Sequence, residues 1–117
     1  MPDDAATIVD ILASCRRIER FVSGVDRKLF HASEEKHWAV ASQLLVIGEA
    51  VTRLSSGFRQ SHPGIPWQRM AGMRNRLVHG YDKINWELVW RTATTEVPLL
   101  QAELGPIPND ESDRAAP

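Results

Sequence analysis

The feature that most constrains the fold is an apolar stretch with helical spacing near the middle of the chain. Over residues 34–54 the apolar side chains cover most of a helix circumference; they are Trp38, Val40, Ala41, Leu44, Leu45, Ile47, Ala50, Val51 and Leu54. A helix that is apolar over so much of its surface must be packed on more than one side. Ser33 precedes it as an N-cap, and Glu34 and Glu35 lie in the first turn, where the helix dipole favours acids. The stretch therefore predicts a central helix.

Two other segments on either side of this stretch also predict helices. Residues 5–22 repeat apolar side chains three and four positions apart and end before Gly24. Residues 67–79 follow Pro66, which suits the first turn of a helix, and stop at Gly80. The side chains of this third helix expected in the core are Trp67, Met70, Ala71, Leu77 and Val78.

A final helix and two connections complete the pattern. Asn85 caps a helix that should kink or restart after Val97, because Pro98 has no N–H to continue the helical hydrogen bonds. Residues 25–32 read as a short link and residues 55–66 as a loop rich in glycine, proline and serine, each with room for one helical turn. With no strand alternation and no repeat, the sequence predicts an all-α, up-and-down bundle of four main helices.

The composition fits one globular domain. The chain has 117 residues, of which 43% are apolar and 25% charged, values typical of an ordinary soluble protein. We expect this domain to span residues 1–104, followed by a flexible tail over 105–117 with prolines, acids and alanines. The single cysteine, Cys15, falls on an apolar helical face, so packing is favoured over reactivity.

The termini and the cysteine count favour a cytoplasmic protein. Pro2, Asp3 and Asp4 make the start acidic where a signal peptide would be basic, and no run reaches the roughly 20 apolar residues of a membrane span. One cysteine excludes an internal disulfide, which fits a reducing compartment. We therefore expect no membrane association.

Positive charge is concentrated in one part of an otherwise acidic chain. The net charge of −1 argues against a general nucleic-acid coat. Residues 53–91 nevertheless carry seven basic and two acidic side chains, which leaves −6 for the remainder. This distribution suggests a local anionic partner, although solvated helix faces would give the same pattern.

The residues that suggest chemistry lie at the end of the third predicted helix, in the order Arg74-Asn75-Arg76-Leu77-Val78-His79-Gly80-Tyr81. Arginine binds phosphate through a rigid fork of donors, and histidine can move a proton near neutral pH. On an ideal helix Arg74 and His79 are about 140° apart around the axis. A site that uses both therefore requires the helix to end at Gly80, or two copies of the motif to meet across a two-fold axis. The sequence is compatible with both arrangements.

These residues resemble the HEPN superfamily, and within it the HepT-like ribonuclease toxins marked by Arg-x4-His-x-Tyr. Here that motif is Arg74, His79 and Tyr81. The resemblance extends to further blocks and covers about residues 5–104; the blocks are His62-Pro63-Gly64-Ile65-Pro66-Trp67, Val46-Ile47-Gly48-Glu49-Ala50, Trp86-Glu87-Leu88-Val89-Trp90 and Val97-Pro98-Leu99-Leu100.

The resemblance implies a homodimeric, metal-independent endoribonuclease with no cofactor, whose paired motifs line a cleft between protomers. A ribose 2′-hydroxyl would attack the adjacent phosphate of a tRNA or mRNA and leave a cyclic phosphate and a 5′-hydroxyl. Arg74 and His79 carry over as catalytic residues, with Asn75 as a helper. Nearby basic residues are assigned to RNA binding; they are Arg69, Arg76 and Lys83.

Tyr81, the only tyrosine of the chain, has its own implied role. In this family a partner nucleotidyltransferase antitoxin of the MntA type adds AMP to the tyrosine of the motif, in a type VII-like toxin–antitoxin pair. Bulky, anionic adenylate beside the cleft would exclude RNA by sterics and by like-charge repulsion.

Other interpretations of the same residues remain open. His79 could cap its helix, Arg74 could pair with Glu49, and Tyr81 could pack as an ordinary aromatic. The tryptophans suit the core or a dimer interface better than RNA stacking. No metal-ligand spacing links Cys15 with the remaining histidines, which are His31, His37 and His62.

Two other functions compete with the ribonuclease. A non-catalytic HEPN module would bind nucleotide or RNA, or dock the nucleotidyltransferase, without cutting. A DNA-binding helical regulator is disfavoured by the low net charge and by the lack of a helix-turn-helix signature. The sequence does not indicate which RNA would be cut.

Overall fold

The computed structural model describes residues 3–106, in which there are helices and no strand. This confirms the predicted all-α class. The α-helices are α1 (Asp4–Val22), α2 (Arg27–Ala32), α3 (Glu34–Arg53), α4 (Ser56–Ser61), α5 (Trp67–His79), α6 (Trp86–Arg91) and α7 (Val97–Leu104). A 3₁₀ turn covers Tyr81–Lys83, and a π-helical segment covers Thr92–Glu96. The predicted tail over 105–117 lies, from residue 107 onward, outside the described residues.

The long helices begin where the sequence supplies a side-chain cap. The carboxylate of Asp3 accepts a hydrogen bond from the backbone N–H of Ala6 at 3.2 Å, and Ser33 accepts one from Lys36 at 3.1 Å. Each cap satisfies a backbone donor that the first helical turn leaves unpaired. The observed bounds of α1 and α3 agree with the predicted ones to within a residue or two, and so do those of α5, which begins after Pro66 without a side-chain cap.

A six-residue helix, α4, occupies the first half of the predicted loop over residues 55–66, around Phe58, where the prediction allowed a helical turn. The Ser55 hydroxyl accepts a hydrogen bond from the Phe58 N–H at 3.1 Å. Ser55 also donates its own N–H and hydroxyl to the carboxylate of Asp4, at 3.0 and 2.7 Å. Capping and a tertiary anchor to α1 together stabilise a helix that the turn-forming composition disfavours. The link over 25–32 contains α2, as the prediction allowed.

The C-terminal helical region changes its hydrogen-bond pattern ahead of Pro98. Asn85 caps α6 as predicted, accepting from the N–H of Leu88 at 3.0 Å. In the π segment the Val97 N–H bonds to the Thr92 carbonyl, one residue further back than in an α-helix. Pro98 offers no N–H to the preceding turn, so the wider segment accommodates the missing bond before α7 restarts. The predicted restart at Val97 is confirmed.

The core lies where α1 and α5 pack against α3. Cys15 is fully buried there, and burial raises the pKa of its thiol to about 12, which confirms the packing role. Two apolar positions do not follow the prediction: Val78 is 39% exposed and Trp38 is 46% exposed. No helix within residues 3–106 combines the length and apolarity needed to cross a membrane.

Candidate active site

Helix α5 carries the motif, and its two ends are set by local contacts. The indole N–H of Trp67 donates to the backbone carbonyls of Arg59 and His62, both at 3.0 Å, which fixes the start of the helix. At the other end the Gly80 N–H bonds to the Arg76 carbonyl at 2.9 Å, and the chain turns into the Tyr81–Lys83 segment. The predicted stop at Gly80 is confirmed.

Gly48 allows α3 and α5 to approach each other closely at Arg74. A Cβ added at Gly48 would overlap the Cβ of Arg74 and lie 3.0 Å from the backbone oxygen of Met70. A glycine at this point removes the side chain that would otherwise separate the two helices. The root of the Arg74 side chain is therefore held against the backbone of α3.

The guanidinium of Arg74 is fixed by two neighbours. Its Nε donates to Oε1 of Glu49 at 2.7 Å, and its Nη1 donates to Oδ1 of Asn75 at 2.9 Å. The side chains of Arg74 and Glu49 are 29% and 43% exposed, so the pair lies at the surface. The ion pair that the sequence left open is therefore present. It leaves part of the guanidinium accessible to solvent.

His79 and Tyr81 are exposed, in contrast to Arg74. Within residues 3–106 the imidazole of His79 forms no hydrogen bond or ion pair, so it caps no helix carbonyl there. Tyr81 is 67% exposed, which contradicts a packing role for the phenol in this chain. Both groups are accessible to a ligand or to another protein.

The residues assigned to RNA binding line a groove beside α5. Arg69, Arg76 and Lys83 line three adjoining cavities of about 480, 280 and 430 Å³, which form a groove between α5 and the region of α6 and the π segment. Arg69 donates to Glu96 across this groove at 2.7 Å. Arg74, Asn75, His79 and Tyr81 do not line these cavities, so the structure divides the predicted site residues into two groups.

Sequence reasoning missed several residues of the groove. Besides Arg69, Arg76 and Lys83, the polar side chains that line it are Gln68, Asn85, Arg91, Thr92, Thr95 and Glu96. Arg91 belongs to the positively charged region and could have been found from it. The others carry no positive charge, so the charge pattern does not point to them.

Three large apolar side chains on α3 and α5 are exposed. Trp38 and Val46 on α3 and Val78 on α5 are 46%, 39% and 39% exposed. Trp38 packs edge-on against Trp86, with ring centroids 5.1 Å apart. Single exposed apolar residues are common, but Val46 lies one helical turn before Glu49 and Val78 one turn after Arg74, so both are close in sequence to the candidate site.

The other histidines have structural partners. His31 Nε2 lies 2.8 Å from Oε1 of Glu87, His37 stacks on Trp86 with centroids 4.3 Å apart, and His62 stacks on Phe58. Arg27 lies 3.2 Å from the same Glu87 oxygen. The hydrogen bond from His31, more than the nearby Arg27 and Arg91 charges, lowers the pKa of Glu87. In the part of the chain that the structure describes, no three His, Cys, Asp or Glu side chains cluster as metal ligands would.

The all-α fold and the Arg74–His79 helix end are those expected of a HEPN protein. Residues 11–107 match the family model described as "Ribonuclease HepT-like". The chain therefore belongs to the HepT-like ribonuclease family.

Named relatives are similar over most of their length. The chain is 33% identical over 102 residues to "Putative RNase MJ1380" of Methanocaldococcus jannaschii, covering 87% of this chain and 94% of that protein. It is 34% identical to "Putative RNase TTE0752" of Caldanaerobacter subterraneus, covering 80% and 84% of the two chains. It is 32% identical to "Probable ribonuclease HepT" of Thermococcus cleftensis, covering 80% and 86%. No solved structure matches the chain.

Proposed function

We propose that this protein is a metal-independent endoribonuclease toxin that cleaves tRNA or mRNA. The observation that carries the proposal is that one helix of a HepT-like ribonuclease presents Arg74, oriented by Glu49, and an exposed His79 with no hydrogen-bond partner within residues 3–106. His79 would accept or donate a proton as the ribose 2′-hydroxyl attacks, a role worth about 10²–10⁴ in rate. Arg74 would stabilise the charge that develops on the phosphate oxygens.

The proposed site is composite and belongs to a homodimer. Within one chain Arg74 is directed toward α3 by its bond to Glu49, and five helical steps place His79 about 140° around the helix axis from it. A two-fold axis beside the exposed Val46 and Val78 would bring Arg74 of one protomer near His79 of the other. It would also remove apolar surface from water.

The groove lined by Arg69, Arg76 and Lys83 supports their assignment to RNA binding. Arginine and lysine attract the phosphate backbone without reading sequence. Arg69 is 73% exposed although it is paired with Glu96, so its guanidinium can also reach a phosphate. Binding in this groove would extend the contact beyond the cleaved phosphodiester.

The proposal includes control by AMP addition to Tyr81 from a partner nucleotidyltransferase of the MntA type. Tyr81 is 67% exposed and lies two residues after His79. A modifying enzyme can therefore reach its phenol without unfolding the chain. Adenylate at this position would place negative charge where RNA phosphates must approach.

The test is cleavage of total tRNA and mRNA by the purified protein in EDTA, with Tyr81 verified as unmodified by intact mass. We expect cleavage by the wild type and a loss of about 10²-fold or more in His79→Ala and Arg74→Ala. No cleavage by unmodified wild type would instead favour a non-catalytic nucleotide-binding or docking module.

A mixing experiment tests whether the site is composite. Co-refolded Arg74→Ala and His79→Ala chains form some dimers in which one site has both residues intact. Random pairing should restore roughly a quarter of wild-type activity if each site draws on two chains. No recovery from this mixture would place both residues of a working site in one chain.

A further inference from the structure

We propose that Glu49 is a positioning residue for Arg74, and that Asn75 acts in the same way. This inference rests on the proposed function and extends it to a residue outside the Arg-x4-His-x-Tyr motif. Glu49 holds the Nε edge of the guanidinium at 2.7 Å, and Asn75 accepts from Nη1 at 2.9 Å. Both therefore act through Arg74.

The donors that remain on Arg74 are those suited to phosphate. A guanidinium has five N–H donors in a rigid plane. Glu49 takes the one on Nε and Asn75 takes one on Nη1, which leaves three on the two terminal nitrogens. Two neighbouring terminal donors can bind two phosphate oxygens in parallel. Glu49 thus selects the edge of Arg74 that faces the substrate.

The backbone around Glu49 makes this orientation rigid. The adjacent Gly48 brings α3 against the Cβ of Arg74, so the arginine is held near its root as well as at its head. The pair is partly exposed, and an exposed ion pair by itself contributes little to stability. Orientation of Arg74 is therefore a better explanation of the arrangement than stabilisation of the fold.

The test compares Glu49→Ala, Glu49→Gln and Asp10→Ala. Glu49→Ala removes the acceptor for Nε, whereas Glu49→Gln keeps an oxygen at that place. Asp10→Ala is the matched control, because it removes another surface partner of α3, the carboxylate 3.9 Å from Arg53. We expect Glu49→Ala to lower kcat about 10²-fold with little change in KM, since misplaced groups cost this much. Glu49→Gln should recover most of kcat, and Asp10→Ala should match wild type.

The possible outcomes test the positioning role of Glu49 separately from the proposed ribonuclease activity. Wild-type kcat in Glu49→Ala, with Arg74→Ala inactive, would overturn the positioning role and leave the ribonuclease intact. Equal losses in Glu49→Ala and Glu49→Gln would also overturn it. If the wild type cleaves nothing, the rate at which the Arg74 Nε–H proton exchanges with solvent, measured by NMR, tests the inference instead. Slow exchange in the wild type that becomes fast in Glu49→Ala would support positioning. Fast exchange in both proteins would contradict it.

Discussion

The two catalytic candidates lie at the two ends of one short segment and differ in how firmly the chain holds them. Arg74 contacts α3 through Gly48 and donates to Glu49 and Asn75. His79, one turn later, is exposed and has no bonded partner within residues 3–106. The fold therefore fixes the position of Arg74, whereas it leaves His79 without contacts of this kind.

The difference indicates what each group needs before reaction. A charge-stabilising donor is most effective when its orientation is set in advance. A proton-transferring group must approach the substrate hydroxyl, and its geometry is often completed only in the complex. In this protein we expect RNA, or the second protomer, to supply the contacts that His79 lacks.

The largest effect on stability should come from a substitution at Gly48, where α3 contacts Arg74. In Gly48→Ala the new methyl meets the Cβ of Arg74, so α3 and α5 must separate. We expect a loss of about 1–3 kcal/mol in the free energy of unfolding, as for other overpacked cores. Urea unfolding monitored by circular dichroism measures it.

Gly72→Ala is the matched control for that experiment. Gly72 lies on α5, the other helix of this contact, and an added Cβ there meets nothing within 4 Å. Alanine should stabilise this helix by about 0.5–1 kcal/mol. If both alanine variants were stabilised, the close approach of α3 and α5 at Arg74 would not constrain the fold.

Alanine substitutions of the two catalytic candidates should have smaller and unequal effects on the free energy of unfolding. Arg74→Ala removes a partly buried ion pair and should lower the free energy of unfolding by up to about 1 kcal/mol. His79→Ala removes an exposed side chain and should change it by less than about 0.5 kcal/mol. Parallel urea titrations measure both. Equal losses would mean that His79 has a structural contact after all.

The difference between local signals and contacts between helices also explains how much of the site could be predicted from the sequence. Helical periodicity and caps located α1, α3 and α5, because these signals are local. The same signals allowed an Arg74–Glu49 pair only as one alternative, since it depends on the close approach of two helices at Gly48. Periodicity also assigned Val78 to the core, whereas α5 turns that side chain outward beside Arg74.

The groove was less predictable than the motif. Positive charge in residues 53–91 pointed to an anionic partner, which is a statement about composition. Thr92 and Glu96 line the groove together with Leu88, at spacings that share one helix face. Neither carries positive charge, so only the packing of this face beside α5 identifies them as part of the groove.

The smallest predicted effect concerns Glu87, a carboxylate outside the motif that links two helices. It links Arg27 and His31 of α2 to α6, and the hydrogen bond from His31 lowers its pKa. Because the pKa is lower in the folded than in the unfolded chain, the ion pair stabilises the fold above the usual glutamate pKa of about 4.3. This stabilisation is lost as the pH falls through the folded-state pKa. Glu87→Gln should therefore be slightly less stable than wild type at neutral pH, and the difference should vanish in acid.

Unfolding in urea between pH 7 and pH 3 measures this difference, with Glu103→Gln as a control on an exposed residue of α7. RNA cleavage by Glu87→Gln should equal that of the wild type, because the cluster acts on the fold. Glu49 carries the opposite expectation, a large change in kcat with little change in stability. A cleavage defect in Glu87→Gln at neutral pH would show that α2 and α6 influence the site. The role of Glu87 in holding helices would then not be separate from the role of Glu49 in orienting Arg74.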